Sequence, residues 1–283
     1  MNRVLQSALA VIMALGLCLG AQAQDAAVKV EAKQLADNLY MITGKGGNIG
    51  LLTGPDGSFM IDDQFAPLTA QILEVVKSVG GEVPRFILNT HFHGDHTGGN
   101  ENLGRMGIAI LARDEVRVRL SAQSPKDALP ILTYSDAITI HLNGEEVHAF
   151  PIPAAHTDGD TIIHFRDSDV IHAGDMFRTV AFPVIDTNNG GTLAGTISAL
   201  GILAGTAGPN TRIVPGHGEV SSRDDVLAFR DMVADVADKV EAMVESGMNY
   251  EQVAAANPTA PYNDRYGDPE RFLRAVYSEL GGQ

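Results

Sequence analysis

Cysteine is nearly absent from this sequence of 283 residues, in which Cys18 is the only one. One cysteine cannot form an intrachain disulfide, so a disulfide framework is excluded as the source of stability. Leu17 stands directly before Cys18, where a lipidated cysteine would follow a small residue, and a lipid anchor is therefore not expected. The chain must rely on packing, for which an apolar fraction of 45% is sufficient.

Basic residues are also scarce, since 20 Lys and Arg face 35 Asp and Glu and the formal net charge is −15. A field of this sign repels phosphate backbones and anionic membrane surfaces, so nucleic acid is not an expected partner. Long apolar runs are absent beyond the N-terminal segment, and no second membrane segment is predicted. We expect a soluble mature protein that acts on a small molecule, with an oligomeric state that the sequence leaves open.

The N-terminal segment has the features of a cleavable export signal. Arg3 supplies a short positive region, an apolar run extends from about Val4 to Leu19, and Ala21-Gln22-Ala23 fits a small-x-small cleavage site. The alternative is a membrane anchor, but the apolar run is shorter than the roughly 20 residues that span a bilayer. Residues 1–23 are predicted to be a signal peptide, and the mature chain from about Gln24 is expected to be periplasmic or secreted.

No fixed-period repeat, low-complexity tract or Pro/Ser-rich linker interrupts the rest of the chain, so residues 24–283 are predicted to form one domain. Short apolar runs separated by Gly-rich and Pro-Asp-Gly turns between Val28 and Asp63 predict an antiparallel meander. Pro67 then opens a pattern of apolar residues at helical spacing that ends at Gly80-Gly81, and a buried strand is predicted at Phe86-Ile87-Leu88.

The second half of the chain repeats this alternation of strands and helices less regularly. Strands are predicted at Ala137–Leu142, Glu146–Phe150, Thr161–Phe165, Val170–His172 and Arg212–Val214, and helices at Thr192–Ala204, Asp225–Val244 and Pro269–Leu280. The helices from about residue 224 onward are most simply a packed cover for the rest. Groups of strands that alternate with helices favour a mixed α/β (α+β) fold, with packed sheets covered by helices.

The segment with the clearest chemical meaning is Asn89-Thr90-His91-Phe92-His93-Gly94-Asp95-His96-Thr97-Gly98-Gly99, directly after the buried strand. In an extended segment His91 and His93 point to the same side, so one cation can be bound by both imidazoles. Asp95 and His96 fall where the chain must turn, and the neighbouring glycines relieve the backbone there. A single histidine is usually a surface or core residue, but four potential ligands within six positions predict a metal site.

Three further candidates lie in glycine-marked turns beside predicted strands, where functional loops gather on a rigid scaffold. They are His156 in Ala-His-Thr-Asp-Gly-Asp, Asp175 in His-Ala-Gly-Asp-Met and His217 in Pro-Gly-His-Gly. Standing alone, each would be structural as readily as functional. The histidines in or beside predicted strands and away from these motifs are interpreted as structural: His141, His148, His164 and His172.

Together these residues resemble the signature of the metallo-β-lactamase superfamily, H-x-H-x-D-H followed by a separated His, Asp and His, between about Val28 and Val220. The resemblance implies a four-layer αββα sandwich that holds two divalent cations. It assigns His91, His93 and His156 to the first metal and Asp95, His96 and His217 to the second, with Asp175 as the bridging ligand. Zinc is the expected metal because histidine nitrogen and carboxylate oxygen suit it, and iron or manganese also fit.

The resemblance also implies hydrolysis of an activated acyl bond in a lactam, lactone, ester or thioester, with hydroxide generated at the metal pair as the nucleophile. Asp95 would orient this hydroxide and relay a proton. Asp62, at the end of a predicted strand, resembles the family's aspartate that supports the metal loop from behind, although an ordinary strand-ending turn residue would look the same.

Asp175 bears on the substrate, since the corresponding position is usually cysteine or serine in acquired β-lactamases and aspartate in glyoxalase II-like enzymes and lactonases. The favoured interpretation is an exported acyl hydrolase of the glyoxalase II-like or lactonase-like type. Two alternatives remain open. One is a dedicated class B-type β-lactamase, and the other is a metal-stabilised binding protein without catalysis.

Two loops are predicted to shape the substrate pocket, and each would serve equally well as a simple turn. The first is Gly44-Lys45-Gly46-Gly47-Asn48, in which Lys45 is a candidate partner for a substrate carboxylate and Asn48 a further contact. The second runs from Thr179 to Gly191 and contributes the candidates Phe182, Asn188 and Asn189.

Overall fold

Seven strands form the first sheet of the computed structural model, which describes residues 28–282. In both chain order and sheet order they are β1 (Glu31–Ala36), β2 (Leu39–Thr43), β3 (Ile49–Leu52), β4 (Ser58–Ile61), β5 (Pro84–Leu88), β6 (Ala109–Arg113) and β7 (Leu132–Tyr134). Strands β1 to β4 pair antiparallel, which confirms the predicted meander, and β4 to β7 pair parallel.

Five strands form the second sheet. They are β8 (Ile138–Leu142), β9 (Glu145–Pro151), β10 (Thr161–Phe165), β11 (Val170–His172) and β12 (Arg212–Val214), and their order in the sheet is β12, β11, β10, β9, β8. Neighbours are antiparallel except β11 and β12. Because β11 and β12 run parallel, the loops that follow them and carry Asp175 and His217 leave the sheet at the same edge.

Helices connect the strands and cover both sheets. They are α1 (Thr69–Ser78), α2 (Gly94–Thr97), α3 (Asn100–Arg105), α4 (Asp114–Ser121), α5 (Leu193–Thr206), α6 (Arg223–Glu245), α7 (Tyr250–Ala256), α8 (Asn263–Tyr266) and α9 (Glu270–Glu279). The long helix α6 begins with a capping box formed by Ser222 and Asp225. Within residues 28–282, no helix combines the length and the apolar character needed to cross a membrane.

The two sheets face each other, and alternate side chains of each strand pack toward different layers. In β3, Leu52 packs between the sheets whereas Leu51 packs against the outer helices, and both are fully buried. In β4, Phe59 and Ile61 face the second sheet and Met60 faces the helices. A strand that is buried on both faces has no polar side, which explains the uninterrupted apolar runs of the sequence.

Each sheet is covered on its outer face by helices. Ile72 and Val76 of α1 pack on the first sheet. Helices α5, α6 and α9 bury Leu200, Phe229 and Phe272 against the second sheet. The resulting order of helix, sheet, sheet and helix confirms the predicted four-layer αββα sandwich.

The strands and helices predicted individually are present, with ends within two residues of the predicted ones. Asp95 and His96, predicted to fall where the chain turns, lie in the short helix α2. Between residues 97 and 137, for which the sequence made no prediction, the structure has α3, β6, α4 and β7. The predicted signal peptide, residues 1–23, lies outside the described residues, so export and the start of the domain stay predictions.

Candidate metal centre

The loop after β5 carries the first four candidate ligands. Thr90 is the second residue of this loop, and its backbone N–H and hydroxyl donate to the two carboxylate oxygens of Asp62 at 2.8 and 2.7 Å. His91 and His93 follow, and α2 then carries Asp95 and His96. All four therefore stand beyond the carboxyl end of a central strand of the first sheet.

Loops of the second sheet bring the other three candidates to the same place. His156 follows β9 in a turn that Asp160 fixes, because its carboxylate accepts the backbone N–H of His156 at 2.7 Å and that of Thr157 at 2.9 Å. Asp175 lies in a short 3-10 turn after β11, and His217 follows β12. The packing of the two sheets thus brings the seven candidate side chains, which follow strand ends of both sheets, into one cluster.

The seven side chains form two groups of potential metal ligands. The first group consists of His91, His93 and His156, and the second of Asp95, His96, Asp175 and His217. Within each group the ligand atoms lie within 4.8 Å of one another. The family resemblance assigned the three histidines of the first group to one metal and Asp95, His96 and His217 to the other, with Asp175 as the bridging ligand.

Asp175 lies between the two groups. Its Oδ1 is 3.0 Å from His96 Nε2 and 3.3 Å from His217 Nε2. Its Oδ2 is 3.8 Å from His156 Nε2. One buried carboxylate therefore presents an oxygen to each group, as a ligand shared by two cations must.

Several ligand atoms have no hydrogen-bond partner in the protein. Nε2 of His91 is buried and unpartnered, and the buried Nε2 of His96 and Oδ1 of Asp175 lie 3.0 Å apart without hydrogen-bond geometry. A buried polar atom without a partner costs free energy, and a bound cation satisfies such lone pairs. Imidazole nitrogen combined with carboxylate oxygen suits zinc and also fits iron or manganese. The residues therefore fit a divalent-metal centre.

Burial and neighbouring charges shift the pKa values of His91, in the first group, and His96, in the second group, in opposite directions. Burial, reinforced by His96 and His156, lowers the pKa of His91 well below its usual value, so this imidazole is neutral and has a free lone pair. Burial also opposes charge on His96, but Asp175 and Asp62 outweigh it and raise the pKa of His96 well above the usual value. A cation that binds the second group must therefore displace a proton.

Asp95 and His217 form the open side of the second group. Their side chains are 30% and 19% exposed, and Asp95 Oδ2 lies 3.1 Å from His217 Nε2. Burial opposes ionisation of Asp95, but the hydrogen bond from His217 and the charge of His96 lower its pKa below the usual value. An ionised and accessible carboxylate in this position is suited to accept a proton.

Two carboxylates contact ligand histidines from behind. Asp62 Oδ2 is 2.7 Å from His96 Nδ1, and both side chains are fully buried. Asp186 Oδ2 is 2.9 Å from His93 Nε2 and also accepts the Asn189 amide at 2.8 Å. Such contacts determine which imidazole nitrogen faces a metal. Sequence reasoning missed Asp186, because no local pattern distinguishes it from other loop aspartates.

Two glycines are required by the close approach of loops to the ligands. A Cβ on Gly47 would lie 2.1 Å from His96 Cε1, and a Cβ on Gly216 would lie 2.0 Å from Asp175 Oδ1. Gly47 belongs to the loop of residues 44–48, whose backbone packs against the metal loop. That loop, predicted to contact substrate, instead forms the back of the centre.

Asn48 is placed differently from the expectation that it contacts substrate. Its side chain is buried, and its amide donates to the carbonyls of Pro215 and Gly218, each at 2.9 Å. These carbonyls stand on either side of His217. The amide nitrogen of Asn48 therefore holds the His217 loop, and Asn48 does not line the cavity.

The other predicted substrate contacts also lie away from the cavity wall. Phe182 is 3% exposed and stacks on Phe272, so it belongs to the core between its loop and α9. Lys45 and Asn188 are exposed but do not line the cavity, and Asn189 acts behind the metal ligands. A turn-rich sequence marks a loop correctly, but it does not say which side chains of the loop turn inward.

A cavity of about 430 Å³ opens beside the two groups. This volume is in the range of small-molecule sites. Its walls include members of both groups and four residues outside the motifs, namely Phe65, Arg178, Val184 and Arg271. Of these four, only Arg178 stands near a motif in the sequence, three residues after Asp175.

The histidines interpreted as structural are outside both groups. His141, His148 and His164 lie on β8, β9 and β10. His172 is fully buried behind the centre, where its Nε2 donates to the Asn48 carbonyl at 3.0 Å and its Nδ1 accepts the Gly174 N–H at 3.3 Å. Backbone groups occupy both of its ring nitrogens, so neither is free for a cation.

Comparison with known proteins agrees with this geometry. The sequence model of the metallo-beta-lactamase superfamily matches residues 42–239. The matched segment contains all seven candidate ligands and ends within α6, so α7 to α9 lie beyond it.

Solved structures of related shape include a metallo-beta-lactamase from Pontibacter korlensis, with a TM-score of 0.63 and 15% identity over 73% of this chain and 100% of that chain. The DIM-1 metallo-beta-lactamase has a TM-score of 0.64 and 15% identity over 73% of this chain and 98% of its own. VMB-1 at pH 5.5 has a TM-score of 0.62 and 18% identity over 74% of this chain and 98% of its own. At these identities the likeness establishes the fold.

Proposed function

Since this chain belongs to the metallo-beta-lactamase superfamily and is therefore a metallo-hydrolase, we propose that it is an exported enzyme with two divalent cations that cleaves an activated acyl bond. The observation that carries the proposal is the position of Asp175. Its Oδ1 lies 3.0 Å from His96 Nε2, and its Oδ2 lies 3.8 Å from His156 Nε2. A carboxylate shared in this way supports a pair of cations rather than one.

In this proposal the first cation is held by His91, His93 and His156, the second by Asp95, His96 and His217, and Asp175 is common to both. Zinc is the proposed metal, and iron or manganese would also suit the donor set. When bound, such a pair lowers the pKa of an attacking water and polarises the substrate carbonyl. The remaining tasks, which are orientation and proton transfer, belong to the side chains.

Asp95 is the side chain proposed to handle the proton. It lines the cavity, is 30% exposed, and is held as a carboxylate by His217 and His96 despite its partial burial. A carboxylate there can orient an attacking water by accepting its hydrogen bond and can then accept its proton. The cavity-lining residues include no serine or cysteine, so nothing on these walls competes as a nucleophile.

We favour a lactone, ester or thioester as the substrate over a β-lactam. The support is Asp175, because the acquired β-lactamases that this chain resembles usually have cysteine or serine at the corresponding position. β-Lactam hydrolysis is the second candidate, because two of the solved structures named above are metallo-beta-lactamases. Their identity of 15% supports a common fold and leaves the substrate to experiment.

The test is a set of initial hydrolysis rates for purified, zinc-loaded protein on a β-lactam, a lactone, an ester and a thioester, each repeated after chelation. We expect chelator-sensitive hydrolysis that is fastest on the lactone or the thioester. A chelator-sensitive β-lactam rate well above the others would identify a β-lactamase instead. Full metal loading without hydrolysis of any class would identify a binding protein.

Replacement of Asp175 by alanine tests the shared ligand directly. We expect fewer zinc ions per chain after dialysis, measured by elemental mass spectrometry. Turnover should fall by more than the roughly 10- to 100-fold that is typical for loss of an outer-shell partner. Asp136→Ala is the control, because Asp136 is exposed, belongs to neither group and does not line the cavity. An unchanged metal content and rate in Asp175→Ala would remove Asp175 from this role.

Export is proposed from residues 1–23 of the sequence alone. Bacterial expression of the complete chain should yield a periplasmic protein that begins near Gln24, measured by cell fractionation and intact mass. Accumulation of the uncut chain in the cytosol would contradict the signal peptide without affecting the proposed chemistry.

A further inference from the structure

The cavity beside the metal ligands is lined by two arginines, Arg178 and Arg271, that the proposed chemistry does not use. Within residues 28–282 neither guanidinium has a carboxylate partner, and Nε of Arg178 is buried without an acceptor. Several other arginines of the described residues are ion-paired, among them Arg105, Arg119 and Arg166. Two guanidinium groups without a carboxylate partner in one cavity form a positively charged site that suits an anionic ligand.

The position of Arg178 is fixed by its neighbours in the metal centre. It follows Asp175 by three residues, and its backbone forms a parallel bridge with His217. Its side chain is half-buried against the cavity wall. Any ligand that reaches the shared carboxylate of the centre therefore comes close to this guanidinium.

Arg271 lines the cavity from a different part of the chain, the first turn of α9. The next residue, Phe272, is 1% exposed and stacks on Phe182, with ring centroids 5.5 Å apart and an interplanar angle of 11°. Phe182 lies four residues after Arg178 in the sequence. The loop that carries one arginine is thus packed on the helix that carries the other, and both arginines line the cavity.

Helix α9 lies beyond residues 42–239, the segment that matches the superfamily. Arg271 is therefore supplied by the C-terminal part of this chain, which the sequence suggested to be only a cover for the sandwich. Because Arg271 lines the cavity, that part of the chain also contributes a charged side chain to the site.

We propose that Arg178 and Arg271 bind an anionic group of the substrate, a carboxylate or a phosphate, while the acyl bond lies at the metal centre. The inference rests on the proposed function and specifies its substrate class, a small acyl compound with a negative charge away from the scissile bond. A guanidinium suits this task because its planar fork donates two parallel hydrogen bonds to such a group. A cavity of about 430 Å³ holds a small molecule rather than a polymer.

The sequence suggested Lys45 as the partner of a substrate carboxylate, but Lys45 is exposed and does not line the cavity. In this proposal the two arginines bind that group instead. The need for them follows from the charge of the chain, whose formal net value is −15. A field of this sign repels anions at long range, so local cations are required to retain one in the cavity.

The test compares two esters that differ only at the end distant from the scissile bond. Para-nitrophenyl valerate ends in a methyl group, and mono-para-nitrophenyl glutarate ends in a carboxylate. The zinc-loaded wild type should prefer the glutarate ester. Arg178→Gln and Arg271→Gln should each lower kcat/KM for that ester by about 10- to 100-fold, mainly through KM, and leave the valerate ester within about twofold.

Arg274→Gln is the matched control. Arg274 lies on the same helix as Arg271, but it pairs with Glu270 at 3.1 Å and does not line the cavity. This variant removes the same charge from the same helix, so it reports the general loss of positive field. Equal losses in Arg271→Gln and Arg274→Gln, or equal losses on both esters, would overturn the proposal.

A binding measurement separates this inference from the proposed function, because it needs no turnover. Zinc-loaded protein is titrated calorimetrically with glutarate and with neutral glutaramide. We expect glutarate to bind more tightly, and each cavity variant to weaken it by about 10- to 100-fold at unchanged metal content. Unchanged glutarate affinity in both variants would overturn the anion site even if esters are cleaved. Weakened binding without any hydrolysis would support the site and reject the hydrolase.

Discussion

Asp62 and Asp186 both contact a proposed ligand histidine from behind, but the protein builds the two supports differently. Asp62 is fully buried, accepts the backbone N–H and the hydroxyl of Thr90, and lies 2.7 Å from His96 Nδ1. Asp186 is a loop residue whose side chain is 11% exposed and lies 2.9 Å from His93 Nε2. The first carboxylate joins two segments of the interior, and the second orients one ligand.

The backbone shows the same contrast. Asp62 follows β4 with a φ of 63°, in the left-handed region that costs a residue other than glycine about 1–2 kcal/mol. Such a conformation persists only where the surrounding contacts determine it. Asp186 has an ordinary φ of −85°. We infer that Asp62 serves folding and metal binding together, whereas Asp186 serves metal binding alone.

Asp62→Ala is the variant with the largest expected effect. It leaves His96 and both donors of Thr90 without their acceptor in the interior, so the free energy of unfolding of the metal-free protein should fall by about 3–5 kcal/mol. Denaturant titration of the chelated protein measures this loss. A decrease below about 1 kcal/mol, the range of one ordinary hydrogen bond, would contradict the role of Asp62 in folding.

Asp186→Asn should act on metal binding with little effect on the fold. The substitution keeps the size of the side chain but removes the charge that faces His93, so zinc affinity at the first group should fall about 10- to 100-fold. The free energy of unfolding of the metal-free protein should change by less than about 1 kcal/mol. Competition with a chromophoric chelator measures the first quantity and denaturant titration the second.

Asp158→Asn is the control for Asp186→Asn. Asp158 pairs with Arg119 at 2.5 Å in the same neighbourhood and forms no contact with a ligand histidine. It should therefore leave zinc affinity unchanged. If both variants lost zinc affinity equally, the effect would belong to the packing of the loop, and the contrast between Asp62 and Asp186 would disappear.

His172→Gln has the smallest expected effect and separates folding from chemistry. The ring of His172 bonds the Asn48 carbonyl and the Gly174 N–H behind the centre. Its loss should cost about 1–2 kcal/mol of unfolding free energy, with zinc content and kcat unchanged. Selective loss of catalysis in a fully folded variant would show that His172 belongs to the chemistry.

The stability supplied by His172 should also depend on pH. Burial lowers the pKa of His172 below its usual value of 6.5, so the folded state favours the neutral ring. Its contribution is complete above about pH 6.5 and is lost as the pH falls toward the folded-state pKa. The stability difference between wild type and His172→Gln should therefore shrink on acidification, as measured by denaturant titration across that range. A difference that grows would contradict the assignment.

The elements with a clear period were predictable, and those without one were not. The apolar runs of β3 and β4 and the stripe of α6 are long enough to be recognised locally. Helix α4, by contrast, has the sequence Asp-Glu-Val-Arg-Val-Arg-Leu-Ser and buries only Val116 and Leu120. Two buried apolar residues among eight do not establish a helical period. The helix therefore depends on tertiary packing and could not be predicted from its own sequence.

Side-chain roles within loops were the least predictable feature. Asn48 and Phe182 were candidates for substrate contact, and the structure turns both of them into the interior. Arg178 and Arg271, which line the cavity, are separated by 93 positions and share no motif. The stacking of Phe182 on Phe272, within one buried cluster, brings their segments together.

The sequence by itself determined the alternation of strands and helices and the types of side chain available for a metal pair, because hydrophobic period and ligand spacing are encoded within a few residues. The tertiary structure alone decided that Asp186 stands behind His93 and which arginines face the cavity. The direction of a side chain depends on contacts between residues far apart in the chain. No local pattern contains that information.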